Sequence, residues 1–448
     1  MGNRSYVVHE QRWRPIRTAL LALVGVACGT MPAQASPGVN GGRANLDLAA
    51  LLAAAERGHP ELIAADAQVR GAGAQITVAR QLPSPTVAVT AMPLPVETRV
   101  GPQRLKVSVK QPLPWLGRFD RMAHAASAMQ VAERRRKDAL LARIRRDVRV
   151  PWADLAWIAG VAAIVKQQHD LLVALEPSVL ARLRVGKASY EDAQRLRLLI
   201  GELDERHRSL LDLRRAVAAE VRAAAGLAPE VALAEAAFER DPLAGRPLPE
   251  PATLHAALAE NPEVTAAEAR IAAAKSRVDV ARDAKRFDFA VGIDWIAVGE
   301  ARMPGVADSG TDTVMLTASV QLPVWRKAYD AREAAASAQV EAAAAAREAT
   351  LRRAEGQLGR LLFALRDARR KDALYRGELL PRAQSALQAA TTAYASGKTS
   401  FENLVALQRQ LLAFELRLLD AERARVQALA NLEWLLGRPI AGAQEETR

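Results

Sequence analysis

Two short stretches, VGKASYE (185–191) and SGKTSFE (396–402), decide the fold of this 448-residue chain. Each sets a Gly-Lys pair and then a serine between long runs rich in Ala, Leu, Arg and Glu, residues that favour helix. A helix reversing direction needs a residue that tolerates the left-handed conformation, and Gly186 and Gly397 supply it. Ser189 and Ser400 can cap the returning helices, with Asp192 and Asn403 three residues on at the reciprocal capping position. The two glycines are 211 residues apart, and the same offset relates GLAP (226–229) to GRP (437–439). The chain is therefore duplicated.

Two further pairs occur in the same order. ERGHPEL (56–62) resembles AENPEV (259–264), and KVSVKQPLPWLGR (106–118) resembles TASVQLPVWRK (317–327). Four ordered matches identify an internal repeat. The first repeat spans 36–227, a Pro/Ala-rich linker 228–251, the second repeat 252–440, and a tail 441–448. Each repeat opens with a helical segment (46–81 and 253–286), continues through two strand-like segments, and ends in a long helical run broken by its Gly-Lys turn.

The strands are expected near 85–94, 104–113, 287–298 and 312–323. Phe287, Phe289, Val291, Ile293 and Trp295 alternate with Asp288, Ala290, Gly292 and Asp294, and Val314, Leu316, Ala318 and Val320 alternate with Met315, Thr317 and Ser319. The 86–94 segment alternates less cleanly. One apolar and one polar face over about ten residues suits a barrel wall with lipid outside and water inside; half-buried hairpins of a soluble domain give the same pattern.

The helices separate these readings. Runs from Arg121 to Val185 and from Ala328 to Ser396 would each be about 100 Å long, too long for a compact domain to bury, with Pro151, Pro177 and Pro381 as kinks or breaks. The returning helices (189–225 and 400–436) are about half that length. Adding the opening helix of the other repeat to each makes a stack nearly as long as a rod, so each long rod is expected beside two stacked short ones. Leu404, Leu407, Leu411, Phe414, Leu418 and Ala421 form a coiled-coil seam on the last helix. Four strands cannot close a membrane barrel, whose smallest forms have about eight. Three chains give twelve strands, the simplest closed assembly, and two chains give eight.

Arg12, Arg14 and Arg17, the apolar run 19–27 and Ala33-Gln34-Ala35 read as a secretory signal peptide over 1–35. Lipid attachment at Cys28, the only cysteine, is the alternative. No later stretch resembles a membrane helix. The net charge of +12 raises nucleic acid as a partner, but the arginines are interleaved with carboxylates along helices, and an exported chain argues against it. The five histidines beyond residue 35 are scattered without metal-ligand spacing, as expected of surface helix residues. No catalytic residue, metal site or cofactor is expected. Trp115 and Trp325, at the strand ends, suit either an aromatic girdle or a buried plug.

These features resemble the outer-membrane efflux protein family typified by TolC. The resemblance is carried by the two His/Asn-Pro-Glu openings, the strand endings QPLPWLGR (111–118) and LPVWRK (322–327), and the paired turns. It implies a mainly α fold with a small transmembrane β part: duplicated long-helix hairpins forming a trimeric α-barrel, and a 12-stranded β-barrel in outer-membrane lipid. It also implies a channel rather than an enzyme, served by a periplasmic adaptor and an inner-membrane pump. The tips at Gly186, Lys187, Ser189, Gly397, Lys398 and Ser400 would contact the adaptor and close the tunnel. A known branch carries an aspartate six residues after each tip glycine; here the positions hold Asp192 and Asn403, which leaves the second carboxylate ring in doubt. The His-Pro-Glu-Leu opening is closer to the heavy-metal branch than to the drug branch, which implies metal cations as cargo. Drug efflux and type I protein secretion are alternatives, as is a periplasmic coiled-coil adaptor or scaffold from another class.

Overall fold

The computed structural model describes residues 45–440 apart from Gly245. The expected signal peptide, with Cys28 and Ala35, and the tail 441–448 lie outside the described residues.

In chain order the elements are α1 (Leu48–Gly58), α2 (Pro60–Ala79), β1 (Thr86–Thr98), β2 (Gly101–Leu113), α3 (Gly117–Arg184) and α4 (Tyr190–Ala224). The second half repeats this plan with α5 (Pro251–Ala257), α6 (Pro262–Asp283), β3 (Asp288–Val298), β4 (Thr313–Gln321), α7 (Arg326–Leu374), α8 (Leu380–Ala395) and α9 (Phe401–Leu436). Pro151 and Pro177 lie inside the unbroken 68-residue α3. Near Pro381, in contrast, the helix widens into a π turn over Tyr375–Leu379 that joins α7 to α8. A proline lacks the N–H that the carbonyl four residues back would accept, and a widened turn absorbs that mismatch.

The short helices stack within each repeat, not between repeats as their lengths suggested. α4 ends at Gly226, and a Cβ there would lie 2.8 Å from Pro60 Cδ, at the start of α2. α9 ends at Gly437, where a Cβ would lie 2.7 Å from Pro262 Cδ, at the start of α6. Length alone could not separate the two pairings; the contact does. The His/Asn-Pro-Glu openings explain it. His59 Nδ1 accepts the Glu61 N–H (3.2 Å), and Asn261 Oδ1 accepts those of Glu263 and Val264 (2.8 and 3.1 Å). Pro60 and Pro262 then occupy the first helical turn, where a missing N–H costs nothing. The Asn261 amide also donates to the Leu435 carbonyl (2.6 Å), tying the end of α9 to the start of α6. His59 is thus a buried cap, not a surface histidine.

The rods lie in one row: α2 with α4, then α3, then α6 with α9, then α7 with α8. Three apolar clusters run through it. The tip-side cluster joins Val165, Leu196, Leu203, Phe401 and Leu404; two others lie at mid-height around Trp152 and Leu51, and around Leu358 and Leu432. Leu404, Leu411 and Ala421 of the proposed seam are buried. The linker is strapped across these clusters. Trp152 Nε1 donates to the Ala237 carbonyl (3.2 Å), Arg149 pairs with both Glu239 (3.1 Å) and Glu433, and Arg369 pairs with Asp241 (3.0 Å). The expectation of no later membrane-like helix needs one correction. Among the described residues α3 is long and apolar enough to cross a membrane, but half of its most apolar stretch is buried in this packing.

The four strands form one antiparallel sheet in the order β1-β2-β3-β4, so β2 and β3 weld the repeats together. The weaker alternation of β1 has a cause: its pairing with β2 shifts register between Ala91 and Val96, around Pro93 and Pro95. Elsewhere register aligns one apolar row after another, as in Val89–Val107–Trp295–Val314 and Val87–Val109–Ile293–Leu316. Val89, Trp295, Val314 and Leu316 on this face are exposed, Leu316 at 85%. At its foot Trp325 is 78% exposed and Trp115 43%, so neither ring forms a buried plug.

Candidate functional site

The two tips have the same backbone. Gly186 (φ +69°) and Gly397 (φ +77°) take the left-handed conformation. In each turn the lysine N–H bonds a carbonyl five residues back, Lys187 to Arg182 and Lys398 to Ala393, both at 2.8 Å. This six-to-one bond closes the helix and leaves both Gly-Lys pairs exposed.

The caps differ. The Ser189 hydroxyl accepts the Asp192 N–H and the Asp192 carboxylate accepts the Ser189 N–H, both at 3.0 Å, a complete capping box. Ser400 accepts the Asn403 N–H at 3.2 Å, but the Asn403 amide turns to Thr399 Oγ1 (3.0 Å). Asp192 is half-buried and Asn403 exposed. Sequence reasoning missed the groups that join the tips. Arg182, near the end of α3, donates to the Ala395 carbonyl (2.6 Å) and covers the Tyr394 ring at 4.5 Å. Tyr394 in turn packs on Phe401, ring centroids 5.9 Å apart. Burial pushes the Tyr394 hydroxyl pKa up, the Asp192 charge acts in the same direction, and Arg182 opposes both. Tyr394 precedes Gly397 by three residues, a position no motif singled out.

Above the tips, one side of the rod row forms a continuous groove. At its upper end Gln75, Arg118, Arg277 and Arg332 bring α2, α3, α6 and α7 together, and at its lower end Glu61, Arg143, Arg270 and Arg353 do the same. A third cavity, sharing Gln68, Arg136 and Arg277 with these, joins them. A groove touching all four rods of a row lies on its concave side. The sheet gives the same answer. Arg118 pairs with Asp288 (2.9 Å), which by strand alternation lies on the face opposite Phe289, Val291, Ile293 and Trp295. On that polar face Asp294 accepts from Ser108 and from Thr317 (2.9 Å), with Lys106 at 3.2 Å. The groove and the polar strand face are therefore one surface, and the apolar strand face looks the other way.

Residues 253–438 match the family described as outer membrane efflux protein. That match spans the second repeat. The first repeats its element order and both of its glycine-ended junctions. No curated protein matches the chain. Solved membrane proteins share the fold over nearly the whole chain. VceC from Vibrio cholerae is 16% identical, with a TM-score of 0.70, 88% of this chain covered and 96% of VceC. A membrane protein from Pseudomonas aeruginosa is 20% identical, with a TM-score of 0.70 and coverages of 87% and 93%. CusC, which forms a transmembrane channel, is 16% identical, with a TM-score of 0.72 and coverages of 87% and 92%. The mainly helical fold with one four-stranded sheet per chain is the fold that these solved proteins share. The described residues hold no cluster of three or more metal-binding side chains.

Proposed function

We propose that three copies of this chain form the exit duct of a tripartite efflux system, in the outer membrane and reaching into the periplasm. One observation carries this reading: an apolar-faced sheet with two open edges, β1 and β4. In lipid, unpaired edge N–H and C=O groups cost several kcal/mol each, so only a closed barrel is tolerated. Pairing β4 of one copy with β1 of the next closes twelve strands over three copies, and brings each α7–α8 rod against a neighbour's α2–α4 rod. Those outer rods expose Phe363 (68%) and Leu198 (75%), apolar groups that a neighbouring rod would cover.

In this assembly the Gly186 and Gly397 turns form the periplasmic end. Gly186, Lys187, Ser189, Gly397, Lys398 and Ser400 offer exposed backbone and charge to an adaptor coupled to an inner-membrane pump. Asp192, and the neutral Asn403, line the constriction. A periplasmic adaptor or scaffold has no use for an exposed apolar sheet face. Metal cations, the cargo implied by the resemblance to the heavy-metal branch, would need no ligand cluster in an aqueous duct. Fractionation tests the proposal. A heat-modifiable trimer in outer membranes is expected, and a soluble periplasmic monomer overturns it. Deletion followed by a panel of metals, drugs and organic anions reads the cargo.

A further inference from the structure

The walls of the groove carry more positive than negative charge. Three of its arginines are neutralised: Arg118 by Asp288, Arg136 by Glu133 (3.5 Å) and Arg143 by Glu61 (2.6 Å). Arg270, Arg277, Arg332 and Arg353 also line it, and among the described residues none of the four has a carboxylate partner. Arg332 lies over the Tyr329 ring, and Arg353 bonds only to groups of its own helix. The one acidic residue lining the groove outside those pairs is Glu263. Four arginines against one glutamate leave three positive charges per chain.

The charge on α7, beside the groove, is segregated by face. On α7, Glu341, Glu348 and Glu355 recur every seven residues on the side opposite Thr350 and Arg353. Asp330 and Glu333 are held by Lys285 (2.7 Å to each), with Arg282 also on Glu333, and none of these four residues lines the groove. Along this part of α7 the carboxylates therefore face outward, while Arg332 and Arg353 line the groove. The sign continues above. On the polar strand face Lys106 is paired with Asp294, while Lys110, opposite Gly292, has no carboxylate partner among the described residues.

Resting on the duct reading above, we propose that the wide upper part of the duct attracts anions, and that its cargo is small molecules bearing carboxylate or phosphate groups. Three copies bring nine unneutralised positive charges to one aqueous passage with low-dielectric walls, which concentrates counter-ions along it. Guanidinium groups suit such cargo because they pair bidentately with carboxylate and phosphate oxygens. A free metal cation meets an opposing potential here, so the lining disfavours the cargo suggested by the resemblance to the heavy-metal branch. Asp192 at the far end acts separately, as a filter at the constriction.

The test is side-specific block of single channels in planar bilayers, with inositol hexakisphosphate as anionic probe and hexaamminecobalt as cationic probe. Each is added from the barrel side, so that it reaches the upper duct before the tips. The anion is expected to block native channels. In the triple variant Arg270→Gln, Arg277→Gln, Arg353→Gln, the half-blocking concentration should rise about tenfold, a change of about 1.4 kcal/mol in probe affinity. The corresponding triple lysine variant should restore the block, which separates lost charge from a damaged wall. Equal anion block in native and glutamine channels, or stronger barrel-side block by the cation, overturns the inference while leaving the duct intact. A protein that forms no channel overturns the duct and the inference together.

Discussion

Replacing Gly437 with alanine should destabilise the fold far more than replacing Gly397, although both glycines share one backbone conformation. Gly437 has φ +71° and Gly397 φ +77°, and left-handed backbone costs a residue with a Cβ about 1–2 kcal/mol. Beyond that the sites differ. A Cβ on Gly397 would meet nothing within 4 Å. One on Gly437 would lie 2.7 Å from Pro262 Cδ, 3.0 Å from Pro262 Cγ and 3.2 Å from the Glu260 carbonyl. A proline ring and a backbone oxygen cannot rotate away, so the start of α6 must shift, and such overpacking costs about 1–3 kcal/mol. Gly397→Ala should therefore cost about 1–2 kcal/mol and Gly437→Ala about 2–5 kcal/mol.

Denaturant unfolding in detergent, followed by helical circular dichroism, measures the difference. Asparagine sharpens it, because its short polar side chain tolerates left-handed backbone. Gly397→Asn should be nearly neutral, whereas Gly437→Asn keeps the steric cost. Gly226, with φ +68° and Pro60 Cδ at 2.8 Å, should behave like Gly437. Equal losses at the tip and junction positions would refute the reasoning, since only the helix-to-helix contact separates them.

Three further outcomes are expected. Asp192→Asn should lower cation preference in single-channel recordings, because charged rings tune ions where a pore is narrow; an unchanged reversal potential removes Asp192 from the constriction. Glu415, on α9, has an unpartnered buried oxygen, and burial pushes its pKa above the ordinary carboxylate range despite partial relief from Gln168. The native state therefore holds this proton more tightly than the unfolded chain, and stability falls as pH rises from the ordinary value through the raised one. Glu415→Gln should stabilise by about 1 kcal/mol at neutral pH and by progressively less on acidification; a pH-independent gain in midpoint contradicts this. Tyr190 is 70% exposed whereas its repeat partner Phe401 is 3% exposed, so Tyr190→Ala should lower the trimer's dissociation temperature without reducing monomer helicity. An unchanged temperature would show that no neighbour covers Tyr190.

The parts of the fold legible in the sequence were those fixed by local chemistry. Glycine with a serine three residues later specified both turns, and period-two alternation specified β3 and β4 because one face is apolar throughout. β1 read poorly because Pro93 and Pro95 interrupt its pairing. Helix stacking was not legible at all: α2 and α6 are nearly equal in length, so α4 could be joined to either. Only the meeting of Gly226 with Pro60, and of Gly437 with Pro262, settles the choice. The tips were legible as turns, but Arg182 and Tyr394 were not, because their contact joins helices more than 200 residues apart. The arginine lining was hidden for a similar reason. Each of its residues sits among carboxylates in the sequence, and only placement on one face separates them.

The two repeats agree where the backbone has no alternative and differ where their surroundings differ. Both keep the tip glycine, the capping serine, the proline-started helix and the glycine that abuts it, since each answers a geometric demand that few residue types meet. Their aromatics have diverged. Phe401 lies between α8 and α3 within one chain and packs on Tyr394. Tyr190 begins α4, an outer rod of the row, where its own chain leaves it uncovered. A phenolic hydroxyl is tolerated at such a position because it can face water or a neighbour's polar group, whereas the buried Phe401 site would leave it unsatisfied. The same logic applies to Asp192 and Asn403. A complete capping box holds the charged residue on α4, while the neutral one on α9 has turned to Thr399. The duplication thus supplies two equivalent hairpins whose returning helices sit differently: α4 is an outer rod of the row and α9 an inner one, so their end residues differ.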